Sequence, residues 1–272
     1  MKRRLPSRRL SRRISDFYLL LILILMYVPI LLVIVYSFNA GRLSSVWNGF
    51  SLRWYEDLFR DRSMFQALWN SVVLGLLSSF AAAIIGTLAA AGMSRVLPPG
   101  AKVMEYLSLL PIMVPEIILG MVFLAFFSLL ALPFGMVTLV IAHTAICVPY
   151  TYLLVKARIV GMDKSYVEAA KDLGAGEMRA FYDITLPLIL PAIVSGILIS
   201  FAMSFDDVII SVFVAGVHTN TLPIKIYSQI KTGVTPKTNA LCTLLFAATV
   251  VLATCSALVA RSLNSDRSIK KS

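Results

Sequence analysis

Charged residues are scarce in this chain, and long apolar runs take their place. Asp, Glu, Lys and Arg together make up 14% of the 272 residues, whereas 58% are hydrophobic. Soluble globular domains carry about 25% charged and about 45–50% apolar residues. The composition therefore excludes an ordinary soluble domain and indicates an integral membrane protein.

Residues for metal, redox or nucleotide chemistry are also few. The chain has two histidines, and its three cysteines fall inside apolar runs without the spacing of metal ligands, so we interpret the cysteines as small packing residues. It contains no G-x-x-x-x-G-K-[ST] loop, no H-E-x-x-H and no G-x-S-x-G. We therefore predict no catalytic residue, no metal site and no cofactor bound by this chain.

Six hydrophobic runs are long enough to cross a bilayer, which takes about 20 apolar residues. Lipid offers no partner to an unpaired backbone group, so each run is predicted to be helical. The predicted fold class is an all-α integral membrane protein with one six-helix domain over residues 17–260, between a basic tail at 1–16 and a second tail at 261–272. The predicted spans are Phe17–Phe38, Trp69–Met93, Tyr106–Ala131, Met136–Val155, Leu188–Val214 and Leu241–Ala260.

Lys and Arg residues are distributed unequally between the two sides of these spans. Of the 25, 18 lie in the two tails and in the segments that follow spans two and four, and seven lie in the other loops. The side with the excess is cytoplasmic under the positive-inside rule. We therefore predict that both termini are cytoplasmic. The net charge of +11 reflects this bias and predicts no nucleic-acid partner.

One polar segment, over about 159–187, interrupts the apolar pattern on the predicted cytoplasmic side. It contains Glu-Ala-Ala at 168–170 and Gly174, followed after nine residues by Ile184-Thr185-Leu186-Pro187. Ser165 and Glu168 have the spacing of a capping box, and Gly174 can end the helix. An ordinary amphipathic loop helix is the alternative interpretation.

This segment resembles the EAA loop of the membrane subunits of binding-protein-dependent ABC importers, whose pattern is EAA, three residues, Gly, nine residues and I-x-L-P. Helical spacing places Tyr166, Ala169, Ala170 and Leu173 on one apolar stripe, which can fit a groove in a soluble partner. The resemblance implies coupling to a partner ATPase through Glu168, Ala169, Ala170, Asp172, Leu173 and Gly174.

Three acidic residues fall inside the predicted spans: Glu116 in the third, and Asp206 and Asp207 in the fifth. Ionisable residues in hydrocarbon are rare and mark functional sites by default. Glu116 lies about 15 Å along its span if the helix is straight. Asp207 shares a helical face with Ser204 and Ser211, whereas Asp206 shares an apolar face, so Asp207 is the better candidate for a substrate pathway. Alternatively, these carboxylates only stabilise the bundle through hydrogen bonds.

Further segments resemble the second permease of bacterial spermidine/putrescine importers, from about residue 17 to 260. The likeness is absent from the arginine-rich N-terminus and from Val217-His218. The segments that carry it are Tyr36-Ser-Phe-Asn39, Trp54-Tyr55, Ser204-Phe-Asp-Asp207, Leu222-Pro-Ile-Lys-Ile-Tyr227 and Gly233-Val-Thr-Pro-Lys-Thr-Asn-Ala240.

This resemblance implies a multi-pass subunit of the bacterial inner membrane that works by alternating access. Its partners would be a second permease in a heterodimer, two ATPases that bind ATP and Mg²⁺, and an extracytoplasmic polyamine-binding protein. Carboxylates in the pathway suit a polycation. The alternatives are an importer of another small solute, such as an opine or an amino-acid derivative, and a secondary transporter that moves protons through Glu116 and Asp207.

Two polar segments on the predicted outer side have two interpretations. Asn39–Gln66 and Gly216–Asn239 combine aromatic or aliphatic residues with charges, as interfacial helices do. They anchor the chain at the membrane surface, contact the extracytoplasmic binding protein, or form a lid over the channel mouth.

The topology can be tested with reporter fusions. We expect fusions after Arg95, Lys171 and Ser272 to be active in the cytoplasm, and fusions near Asn48 and Lys231 to be active outside, because of the charge distribution. Paired cytoplasmic and external reporters at each site provide the measurement. External activity at Lys171 combined with cytoplasmic activity at Asn48 would contradict the predicted orientation.

Overall fold

The structure is a computed structural model that describes residues 8–42, 46–95, 100–163, 165–217 and 219–269. The described chain is helical apart from one isolated β-bridge between Asn39 and Phe50. The helices are α1 (Arg8–Tyr36), α2 (Arg53–Phe59), α3 (Arg62–Arg95), α4 (Ala101–Met113), α5 (Glu116–Leu129), α6 (Met136–Val160), α7 (Ser165–Asp172), α8 (Glu177–Ala180), a π-helical turn (Phe181–Thr185), α9 (Leu186–Asp206), α10 (Ile209–Val214), α11 (Leu222–Thr232) and α12 (Pro236–Ile269).

The helical membrane class predicted from composition is confirmed. Within the described residues, four helical segments are long and apolar enough to cross a membrane, and α4 with α5 would make a fifth as a bent pair. α12 contributes a shorter apolar stretch, Pro236–Val251, so the count of six spans stays a prediction. α1 begins at Arg8, inside the predicted basic tail, and residues 1–7 of that tail lie outside the described residues.

The chain divides into two compact units. The first comprises Met1–Arg62 with Ser228–Ser272, and the second comprises Ser63–Tyr227. In the first unit α12 packs against α1 and α2, and Lys237 forms an ion pair of 2.6 Å with Asp61. The second unit holds every acid of the predicted pathway and the whole EAA segment.

A buried asparagine forms hydrogen bonds in the segment between α1 and α2 of the first unit. The Asn39 amide donates to the Val46 carbonyl at 2.6 Å and accepts the Asn48 backbone N–H at 2.8 Å. The Trp54 indole N–H donates to the Asn39 carbonyl at 2.8 Å. These bonds join Val46, Asn48 and Trp54 to Asn39.

Proline explains the interruption of the third predicted span. Val114 is extended (φ −84°, ψ 132°) and is followed by Pro115. Proline disfavours helical backbone at the residue before it and supplies no N–H. α4 and α5 therefore meet at 108°, and the single helix expected over Tyr106–Ala131 is wrong. A depth calculated along a straight helix does not apply to Glu116.

The fifth predicted span, Leu188–Val214, is also interrupted, although no proline lies at its break. α9 ends at Asp206, Asp207 is extended (φ −66°, ψ 124°) and α10 begins at Ile209. Asp competes with helical hydrogen bonding because its carboxylate accepts nearby backbone N–H groups. The expectation of one continuous helix across Asp207 is therefore wrong.

Small residues let α6 and α9 approach closely in the second unit. A Cβ atom added at Gly196 would lie 2.9 Å from Thr151 Cγ2 and 3.3 Å from Thr151 Cα, so a larger residue would push against the backbone of α6. The Thr151 hydroxyl lies 3.2 Å from the Ser200 hydroxyl. Large apolar side chains, including Leu139, Ile210 and Phe127, fill the core beside this contact.

Replacing Gly196 should weaken this contact. We expect Gly196→Val to destabilise the protein by about 1–3 kcal/mol through overpacking. Thermal unfolding of the purified protein in detergent measures the change. Gly92→Ala is the matched control, because no described residue lies within 4 Å of the added Cβ and Ala favours helix. Equal midpoints for Gly196→Val and the parent chain would contradict the packing analysis.

Candidate functional site

All three acids found in the predicted spans line one cavity of the second unit. The cavity has a volume of about 390 Å³ and lies where the first turn of α5 meets the break between α9 and α10. Ile146 of α6 contributes an apolar wall. The remaining lining consists of Ala202, Met203, Val208 and Ile209 beside Glu116, Asp206 and Asp207. The two helix interruptions therefore bring together acids that are about 90 positions apart in the chain.

Glu116 and Asp206 present open carboxylates to this cavity. Glu116 is exposed at the first position of α5, and Asp206 is exposed at the last position of α9. Neither side chain forms a hydrogen bond or an ion pair with any residue that the structure describes. Both are available to a cationic ligand.

Asp207 has a different environment, because its side chain is only 5% exposed. One carboxylate oxygen accepts the Ile210 N–H at 3.3 Å, and the other accepts the Ser211 N–H at 2.8 Å. The second oxygen also lies 3.4 Å from His143 Nε2. The Asp207 carboxylate thus caps the start of α10, and Asp207 also forms part of the cavity wall.

His143 is fully buried in α6 beside this carboxylate. Its Nδ1 lies 2.8 Å from the Ser204 hydroxyl and its Nε2 lies 3.1 Å from the Ser211 hydroxyl. The polar stripe expected along span five therefore faces α6, in a network with His143, rather than the cavity. His143 is absent from the residues that the sequence predicted for the pathway. The signal was present, since a histidine in a span is itself rare.

A second candidate site is the EAA segment, where α7 ends in a Schellman motif. Gly174 has φ +87°, a left-handed conformation that glycine adopts without strain. Its N–H donates to the Lys171 carbonyl at 2.8 Å, and the Ala175 N–H donates to the Ala170 carbonyl at 3.0 Å. Both bonds match the C-terminal motif, so the helix end predicted at Gly174 is confirmed.

The beginning of α7 differs from the expectation. Ser165 is the first helical residue, and its backbone N–H is accepted by the Asp163 carboxylate at 2.9 Å. This hydrogen bond, together with one to the Ser165 side chain, lowers the pKa of Asp163. The side chain that meets the start of this helix is therefore Asp163 rather than the Ser165 expected from the capping-box spacing.

The apolar stripe of α7 is left largely exposed by the residues that the structure describes. Leu173 is 90% exposed and Tyr166 is 58% exposed, and no residue of α7 is buried. Lys171 forms an ion pair with Glu177, which ties the end of α7 to α8, and Arg179 pairs with Asp183 at 3.3 Å. The opposite side of α7 lines a cavity of about 240 Å³ through Val167, Glu168 and Lys171. α7 thus presents an exposed apolar face.

Comparisons with known proteins show the family of this chain. The family model described as "Binding-protein-dependent transport system inner membrane component" matches residues 82–267. The spermidine/putrescine transport system permease protein PotC of Haemophilus influenzae is 39% identical over 239 residues, which cover 88% of this chain and 93% of that protein. The putrescine transport system permease protein PotI of Escherichia coli K12 is 39% identical and covers 82% of each chain.

A solved structure shares the fold. A chain from the crystal structure of a bacterial ABC transporter involved in the import of the acidic polysaccharide alginate superposes with a TM-score of 0.73. The match covers 96% of this chain and 99% of that one, at 13% identity. At this identity the likeness concerns the fold alone.

Proposed function

Because this chain belongs to the family of binding-protein-dependent transport system inner membrane components, we propose that it is a permease subunit of an ABC importer for polyamines. The observation that carries the substrate class is the grouping of Glu116, Asp206 and Asp207 around one cavity. The names of the relatives that match most of this chain point to the same class, spermidine and putrescine.

The cavity suits a flexible organic cation. Its volume of about 390 Å³ falls in the range of small-molecule sites, about 300–1,000 Å³. A cation that leaves water loses its hydration, and carboxylates at Glu116 and Asp206 can replace it with charge-assisted hydrogen bonds. The apolar walls formed by Ile146 and Met203 can accept the methylene segments between amino groups. Acids alternating with apolar surface match the chemistry of a polyamine.

In this proposal, α7 couples ATP hydrolysis in a partner ATPase to transport. The exposed stripe on α7, with Leu173 at its end, docks into a groove of a partner ATPase, which binds ATP and Mg²⁺. Charged residues beside the stripe, Asp172 among them, set the register of the contact. ATP binding closes the ATPases, the rigid α7 transmits the movement, and the cavity opens outward. Hydrolysis returns it to the inward-facing state. This chain contributes no nucleotide-binding motif of its own.

The complete importer would combine this chain with a second permease, two ATPases and an extracytoplasmic polyamine-binding protein in the bacterial inner membrane. Both termini and α7 face the cytoplasm in this arrangement. Asn39 and Trp54, which share a hydrogen bond, would then lie on the outer side, where the binding protein arrives. Uptake of labelled putrescine and spermidine by cells with and without this subunit tests the proposal. Vanadate-insensitive uptake that an uncoupler abolishes would favour the secondary-transporter alternative.

The cavity acids can be tested by removing their charges. We expect Glu116→Gln and Asp206→Asn each to lower polyamine uptake at least about tenfold, because about 1.4 kcal/mol suffices for that factor and a charge contact in a partly buried site typically exceeds it. Uptake rates at equal membrane levels provide the measurement. Asp57→Asn removes an acid paired with Arg53 on the surface and serves as the control. Parental uptake by the Glu116→Gln, Asp206→Asn double variant would remove the substrate assignment.

The coupling helix can be tested at Gly174. Valine at φ +87° is strained by about 1–3 kcal/mol, whereas asparagine tolerates the left-handed region. We expect Gly174→Val to lower uptake about tenfold or more and to weaken co-purification of the ATPase, and Gly174→Asn to retain more of both. No other atoms lie within 4 Å of the added Cβ, so the comparison isolates the backbone conformation. Normal uptake by Gly174→Val would argue against α7 as the joint.

A further inference from the structure

The break between α9 and α10 leaves backbone groups without helical partners. A helix that stops inside a membrane exposes its last carbonyls, and one that starts there exposes its first N–H groups. α9 stops at Asp206 and α10 starts at Ile209. Some feature of the fold must therefore satisfy the start of α10 and hold it in a fixed orientation relative to α9.

Asp207 satisfies the start of α10. Its two carboxylate oxygens accept the N–H groups of Ile210 and Ser211 at 3.3 and 2.8 Å. The carboxylate is almost completely buried, so its own orientation and charge also need a partner. His143 Nε2, at 3.4 Å, is the partner that the structure places there.

His143 also contacts both sides of the break. Nδ1 lies 2.8 Å from Ser204, which precedes the break on α9, and Nε2 lies 3.1 Å from Ser211, which follows it on α10. The Ser204 hydroxyl continues the network to Ser78 of α3 at 3.0 Å. One imidazole ring of α6 thus contacts both halves of the interrupted span. Three residues further along α6, Ile146 forms part of the cavity wall.

We propose that His143 is a positioning residue for the acids of the cavity. By holding Asp207 and the two flanking serines, it fixes the break at which Asp206 turns toward Glu116. This inference rests on the proposed polyamine pathway for its functional meaning, but the positioning itself concerns only the geometry of this chain.

Two substitutions separate the two nitrogens of the ring. Glutamine at 143 can place its terminal amide near the position of Nε2, facing Asp207 and Ser211. Asparagine reaches only the position of Nδ1, facing Ser204, and leaves the Asp207 carboxylate without this partner. If the positioning is correct, His143→Gln should retain most function and His143→Asn should lose it.

The first measurement is polyamine uptake by the complete transporter in cells. We expect His143→Asn to lower uptake at least about tenfold, because it removes the polar group beside a buried carboxylate, with its membrane level and partner assembly retained. His143→Gln should lower uptake less. Thr144→Val is the control, since it changes a neighbouring buried residue whose hydroxyl has no hydrogen-bond partner among the described residues. Equal losses for the two His143 variants would overturn the proposal.

The second measurement does not depend on the substrate. Asp206→Cys is introduced into the parent and into each His143 variant, and the rate of its modification by a cationic thiol reagent is measured. The same chains without Asp206→Cys provide the baseline from the native cysteines, of which Cys147 is buried. We expect His143→Asn to change the modification rate at least about threefold and His143→Gln to keep it near the parental rate, since only the former releases Asp207.

The two measurements distinguish the failure of each idea. A parental modification rate in His143→Asn would overturn the positioning, whatever the uptake. A changed modification rate, combined with normal uptake by Glu116→Gln and Asp206→Asn, would support the positioning and overturn only the substrate assignment. If His143→Asn fails to reach the membrane, Ser211→Ala replaces it, because this variant also removes a link on the α10 side. Parental behaviour of Ser211→Ala in both assays would then overturn the proposal.

Discussion

Backbone groups at the interrupted helices need hydrogen-bond partners, and the arrangement of the second unit follows from how they obtain them. Lipid supplies no partners, so an uncompensated break would cost several kcal/mol per orphaned group. Pro115 has no backbone N–H, so one fewer donor needs a partner at this break, and α5 starts in a new direction. At Asp207 a buried carboxylate meets the demand instead, and His143 fixes that carboxylate. The cavity with its acids exists because both breaks are tolerated.

Sequence reasoning predicted the features that depend on local pattern. Hydrophobic runs located the apolar helices, and the residue spacing around Gly174 predicted the helix end that the structure confirms. It failed where a side chain competes with the helix, as at Asp207, because the apolar pattern of Leu188–Val214 continues across the break. A periodicity cannot show that two oxygens have replaced helical carbonyls. The bend at Pro115 was signalled by the proline, but its angle depends on tertiary packing.

The direction of the polar stripe along α9 shows a related limit. Ser200, Ser204 and Ser211 share a helical face, and that face was equally compatible with a water-filled path and with a neighbouring helix. The structure packs it against Thr151 and His143 of α6. Glycine at 196 makes this packing possible, since the added Cβ would collide with Thr151. The small polar residues therefore allow close contact between helices. The exposed carboxylates of the cavity belong to Glu116 and Asp206, which lie outside this stripe.

The three acids consequently divide two tasks that a cation pathway has to combine. A site that attracts a cation needs carboxylates that protein groups have not already satisfied, and Glu116 and Asp206 meet that condition. A site with fixed geometry needs buried groups whose hydrogen bonds are complete, and Asp207 meets that one through α10 and His143. Because Asp206 and Asp207 are adjacent, fixing the second also fixes the backbone of the first. The interrupted helix thus gives two consecutive acids of one cavity different surroundings, and only Asp206 keeps a carboxylate without a described protein partner.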